Sequence, residues 1–336
     1  MEAKIKEDLV DMEKKFVWYV EKGRVAGPAE VHEEPMIALK PNLDSIKPLK
    51  KLGNFKGQFW AVDCSTRTLK RANNWGIYLM RTTYAALEGR DVNWNYMERI
   101  CSVVGDAYTR SNYLTDFRIE LESQMALQLL KNDSMTYYEY PRSIYLLLDG
   151  GGYFGGERKF RVILYEESKK KGINLLAISK NSPLLHDDKG RDFIATTSTL
   201  SPYDIWVYHP IRRAEKDRSL YGDISIVKLC QESQRIFRCD IMDYLTSQDV
   251  SEILSPLTFS SVDPRCMGYP IALWLAHEFS APSESMLLHY HDLVEKELGA
   301  AGLLDILRRE EHTCSFADEI HGVRYAYQRE SWGEYV

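Results

Sequence analysis

Ile144-Tyr145-Leu146-Leu147-Leu148-Asp149-Gly150 is the stretch on which the fold turns. It reads as a compact apolar strand over 143–148 that ends in a carboxylate, followed by a glycine-rich turn over 150–156. Gly57-Gln58-Phe59-Trp60-Ala61-Val62 repeats the design: a buried strand that ends at Asp63 and continues into Cys64-Ser65. A strand buried in a sheet and closed by an acid holds that acid on a rigid element beside a cleft.

Outward from these two runs, strands and helices alternate. Further strands are expected over 75–81 and 82–86, 174–178 (ending at Ser179-Lys180), 205–209, 223–229 and 236–240. Helices are expected over 112–131, where Leu114, Phe117, Leu121 and Met125 form one stripe, and over 157–170, 269–280 and 283–299. Residues 1–22 read as a helix, because Ile5, Leu9, Met12 and Phe16 recur at three- and four-residue steps. The proline- and glycine-punctuated residues 23–41 read as a loop. The class is α/β with a mixed sheet. Residues 1–45 form a helical arm and loop, which either packs on a second subunit or packs as an ordinary helix. Residues 46–336 form one decorated domain.

The chain has 336 residues, 44% of them apolar and 27% charged, with a formal charge of −6. These proportions describe a globular protein and exclude a disordered or collagen-like one. Its apolar runs fall far short of the roughly 20 residues needed to cross a bilayer, and residues 1–15 lack the apolar core of a secretion signal. A cytoplasmic location is expected by default. None of the six cysteines forms a C-x-x-C pair, so they read as reduced core thiols. The acidity argues against a protein that coats nucleic acid, but not against an enzyme with a local basic groove. The basic stretches 67–71, 158–161, 169–171 and 212–218 read as solvated faces. The tyrosines Tyr137, Tyr138, Tyr140 and Tyr145 read as packing. His289 and His291, two apart on a helix, do not share a face and suggest no metal site.

Chemistry is suggested by Asp63 and Asp149. Two carboxylates brought together repel, and a divalent cation relieves the repulsion; hard ions such as Mg²⁺ and Mn²⁺ take oxygen ligands. Such ions activate water and stabilise the leaving oxygen of a phosphodiester. A third acid is available from the helix at Glu120 or Glu122. The glycine cluster lacks the Gly-Lys-Ser/Thr ending of an NTP-binding loop and the spacing of a dinucleotide fingerprint. It reads as a tightly approached turn. Late in the chain, Gly268-Tyr269-Pro270 opens a helix that carries His277 two turns on, which puts Tyr269 and His277 on one side.

In this order, Ala61-Val62-Asp63, a Glu-bearing helix, Leu148-Asp149-Gly150, Ala177-Ile178-Ser179-Lys180, Gly268-Tyr269-Pro270 and Ala276-His277 together resemble the NurA nuclease family, over about residues 57–290. The resemblance implies an RNase H-like mixed central sheet flanked by helices, with an N-terminal helical arm. It implies a manganese-dependent deoxyribonuclease, with Mg²⁺ as the alternative ion. It further implies 5′→3′ exonuclease and single-strand endonuclease activity, a homodimer, and work beside a HerA-type hexameric ATPase in DNA end resection and double-strand break repair. Asp63 and Asp149 match the family's metal-binding aspartates. Glu122, preferred over Glu120 because Ala126-Leu127 follow it, matches the helix acid. Lys180 matches a phosphate-holding lysine, and Tyr269 and His277 match the late motif. Cys64 and Gly151 depart from the family's Gly and Ser at those places. Other readings stay open: a non-catalytic DNA- or ATPase-binding subunit on the same fold, a phosphatase whose glycine turn holds a small phosphate, and a plain interaction protein.

Overall fold

The structure is a computed structural model that describes residues 2–22, 37–131, 143–152, 158–180, 185–187 and 192–320. Tyr137, Tyr138 and Tyr140 lie outside the described residues, as do 23–36 of the expected loop, 153–156 of the glycine cluster and 157 of the helix expected after it.

Among the described residues nine strands form one mixed sheet. Its centre holds β3 (Gln58–Ala72), β6 (Ile144–Asp149) and β7 (Asn174–Ser179), which run parallel to one another. On one side β4 (Trp75–Glu88) and β5 (Asp91–Val104) follow in antiparallel order. On the other side come β11 (Phe237–Met242), β10 (Gly222–Lys228), β9 (Trp206–Arg212) and the short β2 (Ile46–Pro48). A separate pair joins β1 (Ile37–Leu39) to β8 (Leu185–Asp187). The parallel step from β6 to β7 is made by the helix α3 (Lys159–Lys171), as parallel neighbours require. The helix α2 (Ala107–Lys131) stands between β5 and β6 in the chain. The strand-end runs Val62, Leu146, Leu147, Leu148, Leu176 and Ala177 are essentially unexposed, so the sheet centre is covered on both faces.

Several sequence expectations are corrected here. β3 does not end at Asp63; it runs on through Cys64-Ser65-Thr66-Arg67-Thr68 to Ala72. The reason is that β4 offers a cross-strand partner along the whole length, from Gln58↔Glu88 to Ala72↔Trp75. Only the parallel partner stops, at Val62↔Leu148. Strand β5 has no counterpart in the sequence reading. Its first half, Asp91-Val92-Asn93-Trp94-Asn95, is exposed and shows no apolar run, and its pairing with β4 alone makes it a strand. Helix α2 also starts five residues earlier than expected, because the Asp106 carboxylate caps the Thr109 N–H at 2.8 Å. The helices α4 (Phe193–Leu200), α5 (Val250–Ser260) and α8 (Leu304–Ile320) are further additions, whereas α7 (Glu284–Ala300) falls where a helix is expected over 283–299.

Helix α1 (Glu2–Lys22) packs on this chain's own sheet. Ile5, Leu9, Met12, Phe16 and Tyr19 share a core cluster with Trp75, Ile77, Leu79 and Ile100. Asp8 fixes the register: it takes Arg99 at 2.6 Å and the Ile100 N–H at 3.0 Å. Of the two readings of this helix, the stripe that the sequence shows is used for intramolecular packing. Cys64, Cys101, Cys230, Cys239 and Cys266 are free, buried thiols. Tyr145 is packing, against Phe55 and Phe59, with its hydroxyl on the Ile253 carbonyl at 2.9 Å.

Candidate active site

Asp63 and Asp149 meet because β3 and β6 are parallel and in register. Val62 pairs with Leu148, so the next residue on each strand leaves the pair at the same level, side by side. Asp149 is the last residue of its strand and pairs on its other side with Ile178. Lys180 leaves β7 just beyond and puts its Nζ 2.9 Å from Asp149 Oδ2. Across the sheet, α2 turns Met125, Ala126 and Leu129 into the core. Glu122, one turn before Ala126, goes in with them and is 3% exposed. The late helix α6 (Ile271–Ser280) crosses over β3. It aims His277 Nδ1 at Asp63 Oδ2, at 2.7 Å, and Ser280 Oγ donates to the same oxygen at 3.4 Å. Tyr269, just before that helix, donates its hydroxyl to Asp149 Oδ1 at 3.5 Å.

Thus Asp63, Glu122, Asp149, Lys180, Tyr269 and His277 form one cluster. Glu120 does not join it. Two residues from Glu122 it faces away, and its carboxylate accepts from Gln124 Nε2 at 2.9 Å. Tyr269 is also placed differently from a base-stacking residue: its ring is 5% exposed and packs on Phe237.

Two arginines complete the cluster, and the sequence reading does not single out either. Arg161 of α3 is buried and donates Nη2 to Glu122 Oε2 at 3.1 Å. The basic stretch 158–161 is therefore not simply a solvated face. Nor is 67–71, where Lys70 is buried between Glu295 and Glu311, at 2.9 Å from each. Arg118 lies one turn before Glu122 on α2, and the i, i+4 spacing to Glu122 is the signal by which it could have been found.

The electrostatics follow from burial and crowding. Burial pushes Glu122 up to about 7, against the pull of Arg118 and Arg161, and the neighbouring Asp63 and Asp149 push it the same way. Burial also opposes the charge of Asp63, but the His277 hydrogen bond, Lys180 and Arg118 outweigh it and hold its carboxyl below the usual range. Burial opposes the charge of Arg118, and Glu122, Asp63 and Asp149 together override it, so the guanidinium is held more firmly protonated. Burial, then Asp149 and Asp63, drive the Tyr269 phenol well above its ordinary value, so it stays a hydrogen-bond donor. Burial raises the Cys64 thiol as well, which keeps it a neutral filler.

The donor chemistry fits a hard divalent cation: three carboxylates and no sulfur or imidazole cage. The arrangement is not a ready-made cage. Among the described residues no three His, Cys, Asp or Glu side chains converge on one point, and each carboxylate already has a side-chain partner: Asp63 the His277 imidazole, Asp149 the Lys180 ammonium, Glu122 the Arg161 guanidinium. The glycine turn is anchored beside the site. The Gly152 N–H donates to the buried Asp240 at 2.5 Å, and a Cβ on Gly152 would lie 3.0 Å from that aspartate's own Cβ. Asp240 is in turn gripped by Arg238 at 2.6 Å.

The same cluster opens into a cleft of about 450 Å³ whose walls include Lys180, Arg235, Arg265, Trp274 and His277. Among the described residues no helix is long and apolar enough to cross a membrane.

No protein-family model matches the chain, and no curated protein matches it. Solved structures do. The NurA nuclease from Sulfolobus solfataricus superposes with a TM-score of 0.55 at 16% identity, covering 89% of this chain and 95% of that one. A NurA structure with manganese gives a TM-score of 0.49 at 12% identity, over 76% of this chain and 92% of that one. Endonuclease V of Ciona intestinalis, in complex with inosine-containing DNA, gives 0.41 at 13%, over 69% and 90%. The mixed sheet, its flanking helices and the superposition over nearly the whole of both chains together give this protein the fold of the NurA nucleases.

Proposed function

We propose that this chain is a metal-dependent DNA nuclease. The observation that carries the reading is the placement of Asp63 and Asp149 at one level on adjacent parallel strands, with the buried Glu122 within electrostatic reach of both. A pair of like charges held together on rigid elements costs stability unless a ligand repays it. Asp63, Asp149 and Glu122 would hold one or two Mn²⁺ ions, or Mg²⁺. When bound, such an ion supplies Lewis acidity toward the phosphodiester and lowers the pKa of a coordinated water.

The chain's own groups do the rest. Lys180 and His277, now paired with the aspartates, are pre-placed hydrogen-bond donors for a phosphate oxygen once the acids take an ion. Tyr269, a donor at every working pH, fixes the orientation of Asp149. Arg118 and Arg161 lie against Glu122 and favour its charged form, which burial alone would neutralise.

By the family resemblance, the activities are 5′→3′ exonuclease and single-strand endonuclease. The setting is DNA end resection beside a HerA-type hexameric ATPase, as a homodimer in the cytoplasm. A second reading is favoured by one observation: every site carboxylate already has a side-chain partner of this chain, which suits a non-catalytic DNA- or ATPase-binding subunit.

One assay separates the two. End-labelled single- and double-stranded DNA is incubated with the chain in Mn²⁺, Mg²⁺ or EDTA. Metal-dependent degradation is expected. It should fall in Asp63→Ala and Asp149→Ala by more than the roughly 10- to 100-fold typical of outer partners of a metal. A folded wild-type chain that cuts nothing in Mn²⁺, alone or with the ATPase, establishes the non-catalytic reading instead.

A further inference from the structure

The cleft beside the acids has a composition of its own. Its lining includes three permanent cations, Lys180, Arg235 and Arg265, together with His277, and no carboxylate. Lys180 and Arg265 have carboxylate partners just outside this lining, Asp149 and Asp263, so the charge without an ion pair among the described residues is that of Arg235, and an anionic group suits it. The cleft also has an aromatic wall. Trp274 is half-buried on α6, three residues before His277, so the indole and the imidazole that meets Asp63 occupy one helix face.

The indole already carries a planar cation. The Arg265 guanidinium lies over the Trp274 ring, 4.6 Å from its centroid. Asp263 holds that arginine by two hydrogen bonds of 2.9 Å each, and its side chain is more than half exposed. A flat group on an indole face is also the geometry of a stacked nucleobase. Arg235, exposed in the same cleft, makes no ion pair among the described residues. The cleft adjoins the acids, because Lys180 and His277 belong to both: one wall residue contacts Asp149 at 2.9 Å, the other Asp63 at 2.7 Å.

We infer that this cleft is the subsite for an unpaired nucleotide next to the phosphate at the acids. Its base stacks on Trp274, with Arg265 moving off the indole or closing over the base, and Arg235 takes the backbone phosphate. The inference rests on the nuclease reading and deepens it, since it assigns strand preference to this cleft. A base inside a duplex has both faces covered by its neighbours and cannot offer one to Trp274, whereas a single-stranded base can.

The test uses the full chain, in EDTA so that nothing is cut. Fluorescence anisotropy measures the affinity for a labelled oligothymidylate and for a blunt duplex, in wild type, Trp274→Ala, Trp274→Phe and Arg235→Ala, with thermal melts as a folding check. Trp274→Ala is expected to weaken single-strand binding by about 5- to 150-fold and to leave duplex binding near the wild-type value. Trp274→Phe should recover most of the loss but not the quenching of tryptophan emission that the oligonucleotide causes in wild type. Arg235→Ala should weaken both substrates and lower the salt slope by about one. Trp274→Ala binding the single strand as wild type does, or losing both substrates alike, overturns the subsite. If the wild type still cuts DNA in Mn²⁺, the nuclease reading survives that result. A wild type that neither binds nor cuts DNA removes both.

Discussion

Two of the buried charge clusters among the described residues are built on opposite principles. One joins Arg81, Glu98 and Tyr290. Arg81 and Glu98 are direct cross-strand partners on β4 and β5. Glu98 Oε1 takes Arg81 Nε at 2.9 Å and Nη2 at 2.7 Å, and Oε2 takes the Tyr290 hydroxyl at 2.5 Å. One carboxylate meets one guanidinium, both oxygens are used, and the guanidinium also lies on the Tyr96 ring at 4.3 Å. The other cluster gathers Asp63, Glu122 and Asp149. Here three acids crowd one another, and two of their partners, Lys180 and His277, are about one-third exposed and line a cleft. The first cluster is closed and has nothing left to bind. The second leaves three carboxylates within electrostatic reach of one another, beside the Lys180 and His277 side chains that line an open cleft. Burial is common to both; the surplus of acid and the open wall mark the site.

That contrast can be broken at its closed end first. Glu98→Ala leaves Arg81 buried without its carboxylate and is expected to cost about 3–5 kcal/mol of stability. Cleavage per folded molecule should not change, and urea unfolding with an active-fraction assay reads both. A large loss of specific activity would show that the two clusters are coupled.

The open end has a pH signature. The Glu122 carboxyl titrates at about 7 in the folded chain, against roughly 4.3 for an unperturbed glutamate. Between those values the native state binds more protons than the unfolded one, so stability falls as pH rises through this window and levels off above it. The loss is of the order of 3 kcal/mol for the metal-free protein. Urea midpoints in EDTA should show this slope, and Glu122→Gln should flatten it. An unchanged slope in that variant would place the titration elsewhere.

Smaller effects sharpen the boundary of the site. His277→Ala should reduce Mn²⁺-dependent cleavage by about 10- to 100-fold with little change in melting temperature, because the imidazole orients Asp63 from outside the acid cluster. A melting temperature that collapses would make His277 a packing residue. Glu120→Ala should change neither cleavage nor, beyond about 0.5 kcal/mol, stability, since its carboxylate accepts from Gln124 across one turn of α2, away from the acids. Any strong loss there would return Glu120 to the candidates.

Much of the cluster was legible as sequence because its members sit where periodicity changes. An apolar run that closes on an acid announces Asp149 directly, and the run over 57–62 announces Asp63, even though β3 continues beyond it under the influence of β4. Pro270 before a helix that carries His277 announces the late motif. The arginines were not announced. Arg161 sits in a basic stretch, and only the packing of α3 against α2 buries it against Glu122. Trp274 lies in an apolar helix like any core residue, and only the position of 265 and 235 turns it into a cleft wall.

The sequence by itself determined the alternation of strands and helices, the two carboxylates that follow apolar runs, and the amphipathic stripe of α1. These depend on residues near in the chain, whose spacing fixes which face each side chain takes. Tertiary structure alone decided that Asp63 and Asp149 stand level, that Glu122 and not Glu120 faces them, that α1 packs on its own sheet, and that a positive cleft opens onto the acids. Each of those depends on the register of parallel strands or the crossing of distant helices. Register and crossing are set by the burial of the whole core, which no local pattern encodes.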